Sequence, residues 1–267
     1  MPLVRQSWYD FPRYFDLAFA DETSRECDFF ERAFERYALR PVRSLLEPAC
    51  GSGRLVVEMA RRGFDLTAFD LNAQALRFLK KRLQARRLDA RVLTADMTAF
   101  ELPRKVDAAF STFNSFRHLL TESTAQSHLR HVARHVKPGG LFILGLHLLP
   151  PGADESCIER WTARRGATRV TTTLRVTSSD RRSRIERLRV CMLVREPRRE
   201  LRLRDEFPLR LYTAGQFKRL LARVPEWELR DVFDFWYDLD EPLELNNDIA
   251  DTVVVLRRRA ETPRLPG

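Results

Sequence analysis

Short apolar runs alternate with amphipathic segments between residues 43 and 147. The apolar runs predict five strands, at "VRSLLE", "DLTAFD", "ARVLTA", "VDAAFSTF" and "GLFILGLHL". Between them, helical spacing predicts helices over roughly 53–62, 72–84 and 124–136. Since neighbouring parallel strands need a long return connection, this alternation predicts a parallel sheet with helices on both faces.

From about residue 155 the apolar residues recur at every second position, which indicates antiparallel strands. The segments are "TRVTTTLRVT", "ERLRVCMLV" and "ELRLRDEF", separated by the turn sequences "SSDRRS" and "EPRR". We predict a three-stranded antiparallel meander inserted after the fifth parallel strand. Thr213 and Gln216 then predict a capping box for a helix, and two further strands follow at "EWELRDVFDFWYDL" and "DTVVVLRR".

The first 40 residues begin with the aromatic-rich segment "SWYDFPRYFDLAF". A helix is predicted after it, with Thr23 or Ser24 as its cap and Glu26 reaching back. The chain therefore divides into four parts. They are an N-terminal cap region (1–40), a parallel core (41–150), the meander (155–210) and a C-terminal completion of the core sheet (211–259).

The composition fits a protein with a large core, since 44% of its 267 residues are hydrophobic. Its longest apolar run, at 140–149, is too short to span a bilayer. The segment after Met1 has no basic region followed by an apolar one, so we expect a cytoplasmic protein that does not enter a membrane. The four cysteines form no CxxC pair and no zinc-like spacing, so we expect neither disulfides nor a metal site.

The formal net charge is +10, which would fit a polyanionic partner. However, 42 of the 47 basic residues are arginines, and they interleave with acidic residues along amphipathic segments. We interpret them as solvated faces of helices and strands, and we do not favour a nucleic-acid partner.

The sequence "EPACGSGR", from Glu47 to Arg54, places two glycines in a turn between the first strand and its helix. A dinucleotide-binding turn would have a third glycine where Val56 stands, and a phosphate-binding loop would need Gly-Lys-Ser/Thr. Glu47 at the strand end would also repel a pyrophosphate. The turn therefore favours a ligand that carries an amino group or a sulfonium.

Two further acids follow predicted strands, Asp70 in "TAFDLN" and Asp96 in "LTADM". A carboxylate after the second strand can accept both hydroxyls of a ribose. One after the third strand can accept an adenine amino proton, while the next backbone N–H, that of Met97, donates to the ring.

The motifs "LLEPACGSGR", "AFDLN", "TADM" and "VKPGGLFIL" together resemble those of class I S-adenosylmethionine-dependent methyltransferases, over about 105 residues. The resemblance implies an α/β fold with a Rossmann-like seven-stranded sheet and S-adenosylmethionine as the cofactor. It departs from the family pattern at Ala49, where the family usually has a glycine. It implies a set of cofactor-binding residues, which are Tyr14, Glu47, Ala49, Gly51, Gly53, Arg54, Asp70, Leu71, Asp96, Met97 and Phe113.

Methyl transfer is an in-line displacement, so the protein mainly has to align the acceptor and exclude water, and a general base is optional. His118 and Tyr14 are the predicted catalytic residues, with Tyr14 closing over the cofactor and Tyr9 as a second candidate for that role. The predicted substrate-binding residues are Asn114, His118, His147, Arg210 and Tyr212.

The acceptor is predicted to be a small molecule methylated at nitrogen or oxygen. The run after the fourth strand, Ser111 to Asn114, lacks the prolines of base-methylating enzymes, and no cysteine nucleophile stands near it. One alternative is an RNA or protein methyltransferase that docks through the Arg-rich meander. Another is a non-catalytic protein that binds S-adenosylmethionine. The acidic segment 231–251 is interpreted as a solvated loop or as a surface for a cationic substrate.

Overall fold

Two β-sheets organise the chain in the computed structural model, which describes residues 3–260. The helices are α1 (Pro12–Ala18), α2 (Thr23–Tyr37), α3 (Arg54–Arg61), α4 (Ala73–Arg86), α5 (Glu122–His135) and α6 (Ala214–Ala222). The first six strands are β1 (Leu3–Arg5), β2 (Ser44–Pro48), β3 (Asp65–Asp70), β4 (Arg91–Thr94), β5 (Val106–Ser111) and β6 (Val136–His147). The other six are β7 (Ile158–Arg165), β8 (Thr168–Asp180), β9 (Ile185–Glu196), β10 (Arg199–Arg210), β11 (Trp227–Phe233) and β12 (Asp251–Arg258).

The seven-stranded sheet has the order β11-β12-β6-β5-β2-β3-β4. Strands β2 to β6 are parallel to one another, and β12 is antiparallel to both β6 and β11. The order reverses between β2 and β5, and ligands in such sheets bind outside the carboxyl ends of the strands at that point. The predicted Rossmann-like seven-stranded sheet is confirmed.

The second sheet has the order β1-β10-β9-β8-β7. The sequence predicted a meander of three strands, whereas the structure has four, because β7 was not predicted. Strand β7 lies at the sheet edge, and most of its residues are exposed. An edge strand needs no regular apolar alternation, so "IERWTARR" carried no strand signal. The short strand β1 pairs in parallel with β10 and brings the N-terminal segment onto this sheet.

The predicted helices of the core agree with α3, α4 and α5 to within about two residues at each end. The capping box before α6 is confirmed, since the Thr213 hydroxyl accepts from the Gln216 N–H and the Gln216 side chain accepts from the Thr213 N–H. The capping box predicted before α2 is wrong. That helix has no side-chain cap, and Glu26 is fully buried against Arg54 instead.

Apolar layers cover both faces of the seven-stranded sheet. Helix α2 packs on one face, where Phe30 stacks on Phe110 at 4.9 Å between ring centroids. Helix α5 and the α6 region cover the other face, where Phe142 contacts Trp227. A third cluster joins the N-terminal segment to the second sheet, so this segment forms a roof near the carboxyl ends of the parallel strands.

Candidate functional site

A cavity of about 510 Å³ lies at the carboxyl ends of β2, β3 and β5, where the sheet order reverses. Its size is within the usual range for small-molecule and cofactor sites. Glu47, Asp70 and Thr112 line it from these three strand ends, and the N-terminal segment covers it. We call it the first cavity.

The turn after β2 forms one wall of the first cavity and needs three left-handed residues. Ala49, Gly51 and Gly53 have φ angles of 52°, 52° and 69°. At Gly53 a Cβ atom would lie 2.2 Å from the Leu79 side chain, so no larger residue fits without rearrangement. Ala49 keeps the left-handed conformation at a cost of about 1–2 kcal/mol. The departure from the family's glycine therefore leaves the shape of the turn intact.

Asp70 holds this turn against the end of β3. One of its carboxylate oxygens accepts from the Gly51 N–H at 2.8 Å, and the other accepts from the Asn72 N–H at 2.8 Å. Each oxygen retains acceptor capacity, because an ionised carboxylate offers about four lone-pair positions. Asp70 can therefore support the loop and still accept hydroxyl protons from a ligand.

Glu47 is a buried carboxylate in the wall of the first cavity. It is 7% exposed, and its Oε2 atom has no hydrogen-bond partner among the described residues. Burial raises its pKa well above the ordinary range, and the nearby Arg54 only partly opposes this. A cationic group placed in the cavity would satisfy this oxygen, so Glu47 fits the ammonium group of an amino-acid moiety.

A buried ion pair stabilises the same wall from behind. Arg54 Nη2 lies 2.5 Å from Glu26 Oε1, and these side chains are only 9% and 0% exposed. Glu26 also accepts from the Thr112 hydroxyl at 2.9 Å, and the Arg54 guanidinium lies 4.8 Å from the centre of the Phe113 ring. The pair therefore connects α2, the start of α3 and the segment after β5.

Aromatic residues of the N-terminal segment form the roof, including Trp8, Tyr9 and Phe15. The Tyr9 hydroxyl and His118 Nε2 are 3.0 Å apart. Burial lowers the pKa of His118 to about 4 and raises the pKa of Tyr9, so both side chains are neutral at pH 7.

Three polar contacts fix this roof to the rest of the protein. The Asn72 side-chain amide donates to Asp10 at 2.7 Å, and the Trp8 backbone N–H donates to Asp205 at 3.0 Å. The buried Asp16 pairs with Arg82 at 2.6 Å. These contacts reach α4 and the second sheet, so the roof joins both sheets across the cavity.

A second cavity, also of about 510 Å³, adjoins the first. Phe19 and Phe113 line both cavities and stand 4.7 Å apart in an edge-to-face contact. Phe113 and Asn114 both have positive φ angles, 57° and 62°. Such strain in consecutive residues is typical of functional positions, and here it lies where the two cavities meet.

Most of the predicted site residues line one cavity or the other. The first cavity is lined by Glu47, Ala49, Gly51, Arg54, Asp70, Leu71, Met97, Phe113 and His118. The second is lined by Phe113, Asn114 and His147. Gly53 is not in either lining, although it shapes the turn from behind.

Tyr14 and Asp96 lie outside both linings, contrary to the expectation from the motifs. The Tyr14 hydroxyl points to Glu196 on the second sheet, at 3.4 Å, and Tyr9 is the tyrosine that reaches the first cavity. Asp96 is exposed, and its carboxylate accepts from the backbone and hydroxyl of Thr98. Its neighbour Met97 is the residue of this motif that lines the cavity.

Arg210 and Tyr212 are also outside both cavities, because the end of β10 enters the core. Arg210 pairs with Glu122 at 3.1 Å. Tyr212 is fully buried and packs against Phe116 and Phe217. Both side chains are buried and held by contacts within the protein, so we no longer propose them as substrate-binding residues.

Several lining residues were missed from the sequence. Asn72 caps α4 and reaches Asp10, a role that its position after "AFDL" could have indicated. Phe19 belongs to the aromatic segment that the sequence had already singled out as a cap. Trp161 and Trp236 line the second cavity but lie on β7 and a C-terminal loop, where no motif pointed to them.

The sequence was compared with protein families and with individual curated proteins. Residues 45–140 match the family described as a methyltransferase domain. No curated protein matches the sequence. Among the described residues, the structure has no helix that is long and apolar enough to cross a membrane.

Solved structures resemble the whole chain. An S-adenosylmethionine-dependent methyltransferase from Clostridium acetobutylicum superposes with a TM-score of 0.74 at 17% identity, over 89% of this chain and 92% of the other. The amino pentose methyltransferase CalS10 from Micromonospora echinaspora gives 0.70 at 19% identity, over 97% and 99%. The sugar N-methyltransferase KedS8 from a Streptoalloteichus species gives 0.66 at 20%, over 92% and 88%.

The shared architecture confirms the predicted class I methyltransferase fold. The match of residues 45–140 to a methyltransferase domain agrees with the resemblance drawn from the motifs.

Proposed function

We propose that this chain is a class I S-adenosylmethionine-dependent methyltransferase that transfers the methyl group to a nitrogen or oxygen of a small-molecule acceptor. The observation that carries the proposal is the pair of adjoining cavities, one at the strand ends and one beyond the Phe19 and Phe113 rings. Three similar structures, two of them sugar methyltransferases, share the fold at 17–20% identity, which agrees with a small acceptor.

The first cavity would hold the cofactor. Glu47 would bind the ammonium group, since it lines the cavity and its buried Oε2 atom has no hydrogen-bond partner among the described residues. Asp70 would accept hydrogen bonds from the ribose hydroxyls, and the backbone of Gly51 permits close approach. Leu71, whose side chain is 66% exposed, and Met97 line the mouth and offer apolar contact to the adenine ring.

The bound cofactor supplies an electrophilic methyl group on a sulfonium. The chain's own residues position the acceptor and exclude water, which supplies most of the acceleration in such a displacement. The aromatic roof over the first cavity would exclude water from around the sulfonium. Phe113, held by Arg54 through a cation–π contact, would help to set the direction from which the acceptor approaches.

Tyr9 and His118 would contribute as a neutral hydrogen-bonded pair in the first cavity. Because the His118 pKa is lowered to about 4, its imidazole is a weak base at pH 7. We therefore assign this pair to orientation of the bound groups, and Tyr9 takes the lid role that the sequence gave first to Tyr14.

The outer face of the meander gives less support to an RNA or protein acceptor. Arginines there pair with glutamates across and along the strands, as Arg189 and Arg204 do with Glu206, and Arg195 with Glu200. Paired charges offer less attraction to a polyanion than a bare basic stripe would.

Calorimetry with S-adenosylmethionine tests the cofactor assignment. We expect micromolar binding by the wild type and a loss of about 100-fold or more in Asp70→Ala, because one substitution removes the ribose contact and the anchor of the glycine turn. Asp65→Ala, at the other end of β3, is the matched control and should bind as the wild type does. Absence of binding by the folded wild type would overturn the proposal.

A further inference from the structure

We propose that the second cavity receives a protonated amine, and that His147, oriented by Asp251, takes a proton from its nitrogen before methyl transfer. This inference rests on the proposed function, because it assumes that the acceptor approaches the cofactor past Phe113. It goes further by naming the acceptor's chemical class and the group that activates it.

The strand register brings the two residues together. Strands β6 and β12 are antiparallel, and His147 lies directly opposite Asp251 at the end of the ladder. His147 Nδ1 is 2.7 Å from Asp251 Oδ1, and the His147 backbone N–H donates to the Asn114 side chain at 2.8 Å. The hydrogen bond to the Asp251 carboxylate requires the proton of the neutral ring to be on Nδ1, so the lone pair is on Nε2.

The Nε2 atom is free to act on a ligand. No other residue in the described part of the chain forms a hydrogen bond with it. The His147 side chain is 39% exposed and lines the second cavity, where its ring packs edge-on against Phe235. The arrangement is that of a base held in place by a second group, as in general acid–base catalysis.

The charges around the cavity favour a cation. Besides His147 and Asp251, the ionisable groups that line it are Asp21, Glu22, Arg25, Glu159 and Tyr237. Carboxylates therefore outnumber the one guanidinium by four to one. Burial raises the pKa of Glu22, and the proximity of His147 lowers that of Asp251, which keeps Asp251 ionised at neutral pH.

The apolar part of the lining agrees with an amine as well. Trp161, Phe235 and Trp236 contribute aromatic surface to the cavity, and the Trp236 residue is 73% exposed. Aromatic faces attract ammonium groups through cation–π interaction. Arg25 already lies 5.6 Å from the centre of the Trp236 ring, so this ring is accessible to a cation.

Proton transfer from the acceptor to His147 requires no further reactant. The acceptor enters as an ammonium ion, one N–H bond breaks, and its electron pair stays on nitrogen as the lone pair needed for the displacement. The proton binds His147 Nε2, and Asp251 stabilises the resulting imidazolium. Since the ring is partly exposed, the proton can then leave to solvent.

The test begins with a panel of amines and their hydroxyl counterparts. The pairs are glucosamine and glucose, putrescine and 1,4-butanediol, and phenethylamine and phenethyl alcohol. Release of S-adenosylhomocysteine is measured for each compound with the full-length wild type. We expect turnover with at least one amine and at least 10-fold less with its hydroxyl counterpart.

The best amine is then assayed from pH 6 to pH 10 with His147→Gln and Asp251→Asn. At pH 7 we expect kcat/KM to fall about 100-fold in His147→Gln, and less in Asp251→Asn. The deficit of His147→Gln should shrink as pH rises towards the pKa of the amine, because the acceptor then arrives already deprotonated. Asp248→Asn, an exposed carboxylate outside the cavity lining, is the matched control and should retain wild-type rates.

Three results would overturn the inference. They are equal losses in His147→Gln at every pH, which would indicate a structural role, wild-type rates in that variant, and better turnover of hydroxyl compounds than of amines. Failure of the whole panel, in a protein that binds S-adenosylmethionine by calorimetry, would also count against an amine acceptor. Failure to bind the cofactor at all would instead reject the proposed function.

Discussion

The two cavities have the same volume of about 510 Å³, yet they are built in opposite ways. In the first, the ionisable groups Glu47 and Arg54 are less than 10% exposed. In the second, the hydrogen-bonded side chains of His147 and Asp251 remain 39% and 53% exposed. The first cavity is therefore preorganised by buried electrostatics, while the second keeps its charges partly in water.

This difference separates the residues that stabilise the protein from those that determine which acceptor binds. A buried charge must be paired when the protein folds, since leaving it unpaired costs several kcal/mol. Residues around the first cavity therefore affect stability and binding together. A solvated charge is worth little to the fold, so residues around the second cavity are free to determine the acceptor.

The largest effect should come from breaking the buried pair behind the first cavity. We expect Glu26→Ala to lower the free energy of unfolding by about 3–5 kcal/mol, because Arg54 stays buried without its partner. Urea denaturation measures this loss. Asp240→Ala is the matched control, because its partners on α2, Arg32 and Arg36, are 54% and 47% exposed, and it should cost about 1 kcal/mol or less. Equal losses in both variants would remove the distinction between buried and solvated charge.

A smaller and pH-dependent effect is expected at Glu47. Because burial raises its pKa, folded protein holds this proton more tightly than unfolded protein does. The resulting stability is complete below the unfolded pKa and is lost as pH rises towards the folded pKa. Glu47→Gln does not titrate, so its stability relative to wild type should increase from pH 4 to pH 8.

The same Glu47→Gln variant should bind S-adenosylmethionine about 10-fold more weakly at pH 8, since it loses the charged contact to the ammonium group. Urea denaturation at the two pH values and calorimetry at pH 8 give both numbers. If Glu47→Gln differs in stability from wild type by the same amount at both pH values, the pKa of Glu47 is not raised by burial.

The smallest change in stability is expected in the second cavity. Trp236→Ala should alter the free energy of unfolding by less than about 0.5 kcal/mol, because the residue is 73% exposed. It should nevertheless raise KM for an amine acceptor several-fold through loss of the aromatic face. Urea denaturation and steady-state kinetics check the two parts. A large loss of stability would show that the second cavity is also part of the core.

The sequence was sufficient for the strand ends and the turn of the first cavity, because these residues follow apolar runs that are easily recognised. Glu47 and Asp70 each end an apolar run, and the geometry of a parallel sheet brings such ends together. The left-handed turn at Gly51 and Gly53 could likewise be expected from its glycines. Local pattern and sheet topology were not enough for the aromatic roof or for Asp96, which lies outside the lining.

The lining of the second cavity could not be predicted from the sequence in this way. Its residues come from α1 and the start of α2, the segment after β5, the adjacent ends of β6 and β12, the edge strand β7 and the loop after β11, so no local pattern contains it. The choice between Tyr9 and Tyr14 had the same difficulty. Both belong to one aromatic segment, and only the turn at residues 8–10, followed by α1 from Pro12, decides which hydroxyl reaches His118.

The parallel pairing of β1 with β10 has a consequence for how the protein is made. Leu3, Val4 and Arg5 are made about 200 residues before their partners Arg202, Leu203 and Arg204. Contacts between residues so far apart in sequence form late in folding, because a long loop must close first. The roof is therefore expected to close only after β10 has been made, when the parallel strands β2 to β6 have already been synthesised.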